Sequence, residues 1–432
     1  MSSFGGIFRR SIVAFSAATV MVAGPAVAQG YEQQAQALLG SAKFKRAKAS
    51  LDADYDRIIA DIIKLTEIEA PPFKEAARGA MFKEMLAAEG LADVTTDAEG
   101  NVYGTLKGSG RGTDVFVVTA HLDTVFPAGT DVRVKREGNK LIAPGIGDDT
   151  SSLPVLLAFI RAIRKAGFTP AMDIVFMGNV GEEGPGDLRG VRYLFGQSPL
   201  KDRIKHFISF EPGLGDEITN AGAGSKRYKV TFTGPGGHSM GNFGIVNPSY
   251  AMADAIVQFG KMTVPTTPKT VFNVGVVEGG TSVNSIPFAM SMLVDMRSGG
   301  KAELDAVEKQ FLALLPGAVA AENAARSTTR GKIAYEAKLI GDRPVGNVAK
   351  DAEILRMAVS LRKAAGATPN FGTGSSDSNI PWSMGRSAIT LGSGFETNGA
   401  HSLDEYLISD KPKDVDNMAL GLATVLLIAG AK

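Results

Sequence analysis

The 432-residue chain has no cysteine, four histidines and one tryptophan. Without thiols there is neither a disulfide framework nor a thiolate-held zinc or iron–sulfur centre. Any transition metal must be held by histidine and carboxylate. Net charge is also scarce. Lys and Arg total 46 against 45 Asp and Glu, a formal charge of +1. That balance provides no basic surface for nucleic acid and no cationic face for an anionic membrane. No internal repeat and no domain-sized low-complexity tract is present. With 44% hydrophobic and 21% charged residues, the composition is that of a globular protein of two or three domains.

The first 28 residues differ from the rest. Arg9 and Arg10 precede an apolar stretch, residues 11–23, and Ala26-Val27-Ala28 precedes Gln29. A basic start, an apolar middle and an A-x-A site describe a secretory signal peptide cleaved after Ala28. The stretch is short of the roughly 20 apolar residues that a membrane span requires. The expectation is export by the general route to the periplasm or the medium, with no membrane attachment afterwards. Loss of the two arginines turns the formal charge from +1 to −1.

Three apolar runs read as buried strands, residues 115–120, 174–177 and 207–210. A helix over 153–165, with Leu156, Phe159, Ile160 and Ile163 on one face, separates the first two. Thr150, Ser151 or Ser152 is expected to cap it, and Pro154 suits its first turn. Further helices are predicted within 32–66 and over 74–89. Apolar strands alternating with helices predict an α/β fold, a mostly parallel sheet flanked by helices. From residue 224 the rhythm changes. Strands at 227–233, 271–277, 289–296 and 332–340 and helices at 248–261 and from 301 give β-α-β-β-α-β, the ferredoxin-like order. The expected organisation is a catalytic domain in two parts, 29–223 and 342–432, with an inserted α+β domain at 224–341.

The stretch V-T-A-H-L-D-T-V places His121 where an apolar strand ends. Open parallel sheets bind ligands at that edge. Asp148 and Asp149, Glu182 and Glu183, and Glu211 also follow predicted strands or turns. Asp148, Glu183 and Glu211 come 27, 35 and 28 residues after the preceding member of the series that begins at His121. Those steps are near the roughly 30 residues of one β-α-β unit, so each unit would bring one ligand-type residue to the same edge. His401 supplies a second imidazole. Histidines and carboxylates without thiols suit zinc, or a neighbour such as cobalt or manganese. Asp148 is placed to bridge two ions, and Asp123 to hold the second ring nitrogen of His121. Taken singly, each of these residues is more often a cap, a turn or a solvated acid. The segment G-P-G-D-L-R-G loosely resembles a phosphate loop but misses the G-x-G-x-x-G spacing.

In order along the chain, H-L-D-T-V-F-P, G-D-D, G-E-E-G, F-E-P-G, G-G-H-S, N-S-I-P and A-H-S-L-D-E-Y resemble the dinuclear zinc exopeptidase family. That family includes carboxypeptidase G, peptidase T, aminoacylase and succinyl-diaminopimelate desuccinylase. The resemblance spans nearly the whole mature chain. It implies that His121 and Glu211 hold one zinc and Glu183 and His401 the other. Asp148 would bridge them, followed by a cis peptide bond. Glu182 would be the general base and Asp123 the support of His121. His238 would reach across a homodimer and polarise the carbonyl in the partner's site, and Asn284 and Arg297 would bind the substrate carboxylate. Arginine suits that role because its fork matches a carboxylate.

Two positions depart from the family. Thr150-Ser151-Ser152 stands where Lys-Gly-Gly or a relative is usual, which predicts a differently shaped pocket at that loop. Residue 211 is Glu, as in desuccinylase-type members, where many peptidases have Asp. His206 has no counterpart and reads as structural or exposed. The activity implied is hydrolysis of di- or tripeptides, or of a carboxyl-terminal residue, by a water that two metals activate. The alternatives are an N-acyl-amino-acid amidohydrolase and a non-catalytic peptide-binding protein. The last should have lost a ligand or the base, and none is lost here.

Overall fold

A computed structural model describes residues 25–432. Most of the expected leader, and its basic start, lie outside the described residues. The expected cleavage position after Ala28 falls within a helix, Pro25–Gly40. Two more helices, Ala42–Ala53 and Tyr55–Thr66, follow it. No described helix is long and apolar enough to cross a membrane.

The main sheet has nine strands, and its centre is parallel. Asp173–Asn179, Val115–His121, Ile204–Glu211 and Ala388–Gly392 lie side by side in that order. Their apolar runs are long because helices cover both faces. Every residue of Val115–His121 is buried. Full burial of each Val, Phe or Ile contributes about 1.5–3 kcal/mol, so this centre is the rigid part of the molecule. The parallel centre is bounded on each side by an antiparallel pairing, Val102–Leu106 with Asp173–Asn179 and Glu217–Gly222 with Ala388–Gly392, and Asn370–Gly374 adds a parallel strand beside Glu217–Gly222.

The chain leaves Val115–His121 through the helix Ser152–Ala166 to reach the strand on one side, Asp173–Asn179. It then crosses to the other side, Ile204–Glu211. This reversal puts a crevice at the carboxyl end of Val115–His121, where such sheets bind ligands. The helix begins within a residue of its expected start, but the hydroxyls before it do not cap it. Ser151 Oγ donates to the Gly147 carbonyl (2.9 Å), Ser152 Oγ to Asp149 Oδ1, and Thr150 Oγ1 accepts from Arg78 Nη1 (3.1 Å). These side chains brace the acidic turn instead.

The inserted unit has the ferredoxin-like order. Its four antiparallel strands lie in the spatial order Thr270–Gly279, Ala289–Ser298, Gly224–Thr233, Ala334–Arg343. The helices Pro248–Gly260 and Lys301–Ala325 cover one face. Val230, Phe232, Phe259, Met292, Phe311 and Leu315 form a second core, separate from that of the main sheet. The alternation Tyr228, Val230, Phe232 reflects this one-sided burial.

A third, small sheet brings the end of the chain to the site. Tyr406–Ile408 pairs with Lys140–Ile142, just before the Asp148 turn, and with Glu396–Asn398. His401 lies in the connection between Glu396–Asn398 and Tyr406–Ile408.

Candidate active site

His121 ends the central strand with its ring wholly buried. Its Nδ1 is 2.9 Å from the Asp123 carbonyl oxygen and 3.7 Å from the Asp123 carboxylate. The Asp123 carbonyl thus makes the closer contact with the ring, and its carboxylate lies just beyond. The carboxylate accepts the backbone N–H groups of Glu182 (3.0 Å) and Glu183 (2.8 Å). Nε2 of His121 faces the crevice, 3.0 Å from Asp148 Oδ1 and 3.7 Å from Glu211 Oε2.

His401 approaches from the opposite side, at the rim. Its Nε2 is 3.2 Å from Asp148 Oδ2 and 3.0 Å from Glu183 Oε1. Each oxygen of Asp148 thus faces one imidazole, with Glu211 beside the first and Glu183 beside the second. The Asp148–Asp149 peptide bond is cis, as the resemblance implied. Asp149 also lies within reach of His121 and Glu211. Its oxygens are engaged by the His121 backbone N–H (3.0 Å) and the Ser152 hydroxyl, which leaves Asp148 as the carboxylate that faces both imidazoles.

The charges fit a metal pair. Burial pushes the Glu211 carboxyl well above its usual range, and Glu211 Oε1 has no hydrogen-bond partner among the described residues. Burial would raise Asp148 too, but the His121 and His401 rings outweigh it and hold that carboxyl low. Contacts with Asp148 and Glu183 raise His401 to about 10. Burial would lower His121, yet Asp123 and Asp148 hold it well above its ordinary value. Carboxylates crowd two imidazoles in a buried place, and a buried charge without a partner costs several kcal/mol. Cations at the two His–carboxylate clusters would supply the missing compensation, and the donor set is one that zinc-type ions accept.

Glu182 is buried beside them. Burial raises its pKa to about 8, Arg343 opposes this and Glu183 adds to it. Arg343 Nη1 is 2.9 Å from Glu182 Oε1 and 3.1 Å from Ser375 Oγ, and Nη2 donates to the Glu182 carbonyl. Sequence patterning does not single out Arg343, which ends the last strand of the inserted sheet. Nor does it single out Glu405, whose two oxygens accept the N–H groups of Gly145, Gly147 and Asp148, each at 2.8 Å. Glu405 holds the turn that presents Asp148, and its place four residues after His401 was the available signal. The fully buried Arg78 binds the carbonyls of Leu122 and Ile68 and so anchors the exit of the central strand.

A cavity of about 520 Å³ opens over these groups, lined by Asp148, Glu182, Glu183, Glu211 and His401 on one side. The inserted sheet lines the other with Arg227, Asp295, Arg297 and Arg343. Thr150, Ser151 and Ser152 are fully buried and do not line it. The expected effect of these three residues on pocket shape is therefore corrected: the hydroxyls face the interior. Among the described residues, neither His238 nor Asn284 lines the cavity. They are neighbours on a separate exposed patch, where Ser239 N–H donates to the Asn284 carbonyl (2.9 Å) and His238 pairs with Ser285. His206 is buried and structural: its Nδ1 is 2.9 Å from Ser387 Oγ, and burial lowers its pKa to about 4.

A parallel sheet with an inserted ferredoxin-like unit, and a carboxylate-bridged pair of histidine clusters in the crevice, defines a metal-dependent peptidase class. The model of peptidase family M20/M25/M40 matches residues 117–428, and the chain belongs to that family. It is 26% identical over 317 residues to carboxypeptidase G2 of Pseudomonas sp. (strain RS-16), covering 69% of this chain and 71% of that protein. Its fold matches aminopeptidase PepT of Bacillus cereus ATCC 10987 with a TM-score of 0.66 at 20% identity, covering 87% and 98% of the two chains. It also matches the Bacillus subtilis YXEP protein, a dinuclear metal-binding peptidase, with a TM-score of 0.59 at 17% identity, covering 87% and 99%.

Proposed function

We propose that this chain is an exported exopeptidase with two zinc ions, cleaving di- or tripeptides or a carboxyl-terminal residue. The observation that carries it is the Asp148 carboxylate, one oxygen facing His121 and Glu211, the other facing His401 and Glu183. His121, Asp148 and Glu211 would hold one ion and His401, Asp148 and Glu183 the other. Cobalt or manganese are the natural substitutes. Such a pair supplies Lewis acidity and lowers the pKa of water toward neutrality.

The chain's own groups supply the rest. Glu182 sits in the cavity to take a proton from the attacking water and pass it to the leaving amine, acting as base and then acid. Its raised proton affinity suits a group that must do both near neutral pH. Arg343 keeps it anchored. Among the described residues, the inserted sheet gives the cavity wall Arg227, Arg297 and Arg343, the last paired with Glu182, against a single further carboxylate, Asp295. Asp295 is already bound to Arg227 (3.1 Å) and Arg297 (2.7 Å). That wall favours a substrate carboxylate over a substrate ammonium, and so a carboxyl-terminal residue over an amino-terminal one.

His238 is exposed and away from the cavity of its own chain, next to Asn284. Met240, Phe243, Val283 and Phe288 are exposed in the same segments. A homodimer in which His238 serves the partner's site accounts for both facts. An N-acyl-amino-acid amidohydrolase would present the same carboxylate and is the reading to be separated. The test is metal analysis of the purified protein with a panel of free dipeptides, tripeptides and N-acyl amino acids, with and without chelator. The expected result is about two metals per chain and chelator-sensitive cleavage of free peptides. Cleavage of N-acyl amino acids alone would favour the rival, and tight peptide binding without hydrolysis would overturn both.

A further inference from the structure

The turn after the two glutamates, G-P-G-D-L-R-G over residues 184–190, misses the spacing of a phosphate loop, and its polar groups are engaged elsewhere. Asp187 and Leu188 both have positive φ, 51° and 61°. Two successive non-glycine residues in the left-handed region are uncommon and need support from their surroundings. The support comes from the inserted sheet. Asp187 Oδ1 accepts the backbone N–H of Asp342 at 2.9 Å. Asp187 Oδ2 accepts from Arg192 Nη2 at 3.2 Å, and Arg192 Nε donates to the Asp187 carbonyl at 2.7 Å. Arg192 Nη2 also donates to the Asp342 carbonyl. Turn and strand are thus closed into one ring of hydrogen bonds at Asp342, both of whose backbone groups are used.

The next residue is Arg343, whose guanidinium meets both the carboxylate and the carbonyl of Glu182. A second tie reaches the same turn from a different strand of that sheet, Arg227 Nη1 donating to the Gly184 carbonyl at 2.9 Å. The segment carrying Glu182 and Glu183 is therefore held from the main sheet by Asp123 and from the inserted sheet by Arg343 and Arg227. Asp187 fixes the backbone from which Arg343 projects.

We infer that Asp187 is a positioning residue, fixing Arg343 against Glu182 by its grip on the Asp342 backbone. The inference rests on the proposed role of Glu182 as base. A carboxylate is not itself required; an acceptor at the Oδ1 position is. Asn keeps that acceptor and tolerates the left-handed region, giving up only the part-exposed 3.2 Å contact of Oδ2 with Arg192 Nη2, whereas Gly removes both acceptors without adding a steric penalty at positive φ.

The experiment compares Asp187→Gly and Asp187→Asn in the full metal-loaded chain. Misplacing a reacting group by about 1 Å costs up to about 100-fold. Asp187→Gly is expected to lower kcat by about tenfold with KM within about twofold. Asp187→Asn should stay within about twofold of wild type. In an Arg343→Gln background Asp187→Gly should cost little more, because the two act as one unit. Hydrogen exchange of the backbone over residues 181–186 gives a readout that needs no activity. It should rise in Asp187→Gly and not in Asp187→Asn, with residues 115–121 unchanged. Additive losses with Arg343→Gln, equal losses in both variants, or unaltered exchange and kcat in Asp187→Gly would overturn the assignment. A wild type that cleaves no peptide would count against the proposed function, and the exchange comparison would still judge Asp187.

Discussion

Arg343 Nη1 stands 2.9 Å from Glu182 Oε1, with both side chains only 6% exposed. The pair spans the two halves of the molecule, because Glu182 follows a strand of the main sheet and Arg343 ends one of the inserted sheet. Burial raises the Glu182 pKa and Arg343 lowers it. Removing the cation leaves the burial effect unopposed, so Glu182 should gain proton affinity. A base must be deprotonated to act. Arg343→Gln should therefore move the acid limb of the kcat/KM profile to higher pH, by about one unit. The profile over the range of about pH 5–9 checks this, and a shift to lower pH would contradict it.

Glu182 itself should be separable from metal binding. It approaches neither imidazole within ion-pair distance, whereas Asp148, Glu183 and Glu211 do. Glu182→Ala should lower turnover by several orders of magnitude, roughly 10³-fold or more. Metal content by atomic emission should remain that of wild type. Loss of one or both ions on the same substitution would make Glu182 a ligand instead.

Chelation should destabilise the protein as well as inactivate it. Glu211 carries a buried oxygen without a partner among the described residues, and it shares a cluster with His121 and Asp149 beside that of Asp148 and Glu183. Ligands that bind only the folded state stabilise it in proportion to their affinity. A thermal melt should fall by several degrees on treatment with chelator and recover on adding zinc. The two histidines should differ. The His401 side chain, 55% exposed, stands at the rim, and that of His121 is wholly buried. His401→Ala should lose one ion and only the stability that ion supplies, while His121→Ala should cost more, because it also leaves a cavity in the buried interior.

Glu405 gives a different kind of test, because it acts through backbone groups alone. Its carboxylate accepts three N–H groups on the turn that ends in Asp148. Glu405→Gln turns one acceptor into a donor facing a donor. Leaving buried donors unpaired costs about 1–3 kcal/mol each. The variant should melt lower and bind metal more weakly, as calorimetry and chelator competition would show.

Much of this site is legible in the sequence because its residues sit where strand patterning is strongest. His121, Glu183 and Glu211 follow runs such as V-F-V-V-T-A, and β-α-β spacing alone puts their ends on one edge. The ferredoxin-like insert is legible for the same reason, its alternation Tyr228, Val230, Phe232 reflecting one buried face. His401 is not, except by resemblance. It is carried to Asp148 by three-residue strands, Lys140–Ile142 and Tyr406–Ile408, too short to leave a periodic signal. Arg343 and Arg78 are also silent. A buried arginine looks like a surface one until its partners, here Glu182 and the carbonyls of Leu122 and Ile68, are placed in space. The hydroxyl run Thr150-Ser151-Ser152 reads as a cap because local rules favour it; the demand of the buried acidic turn for hydrogen bonds proves stronger.

His238 permits a test that depends on two chains at once. It is exposed beside Asn284 and, among the described residues, outside the cavity lining of its own chain. If it serves the partner's site, His238→Ala and Glu182→Ala homodimers should each be nearly inactive. Mixed by co-refolding, they should form heterodimers in which one site combines an intact Glu182 with an intact His238, while the other has neither. Random pairing makes half the dimers mixed with one working site in two, so about a quarter of wild-type activity should return. Phe243→Asp, in the apolar patch around His238, should yield monomers by sedimentation and abolish the recovery. No recovery in a mixture shown to contain heterodimers would place His238 in its own chain's chemistry or in none.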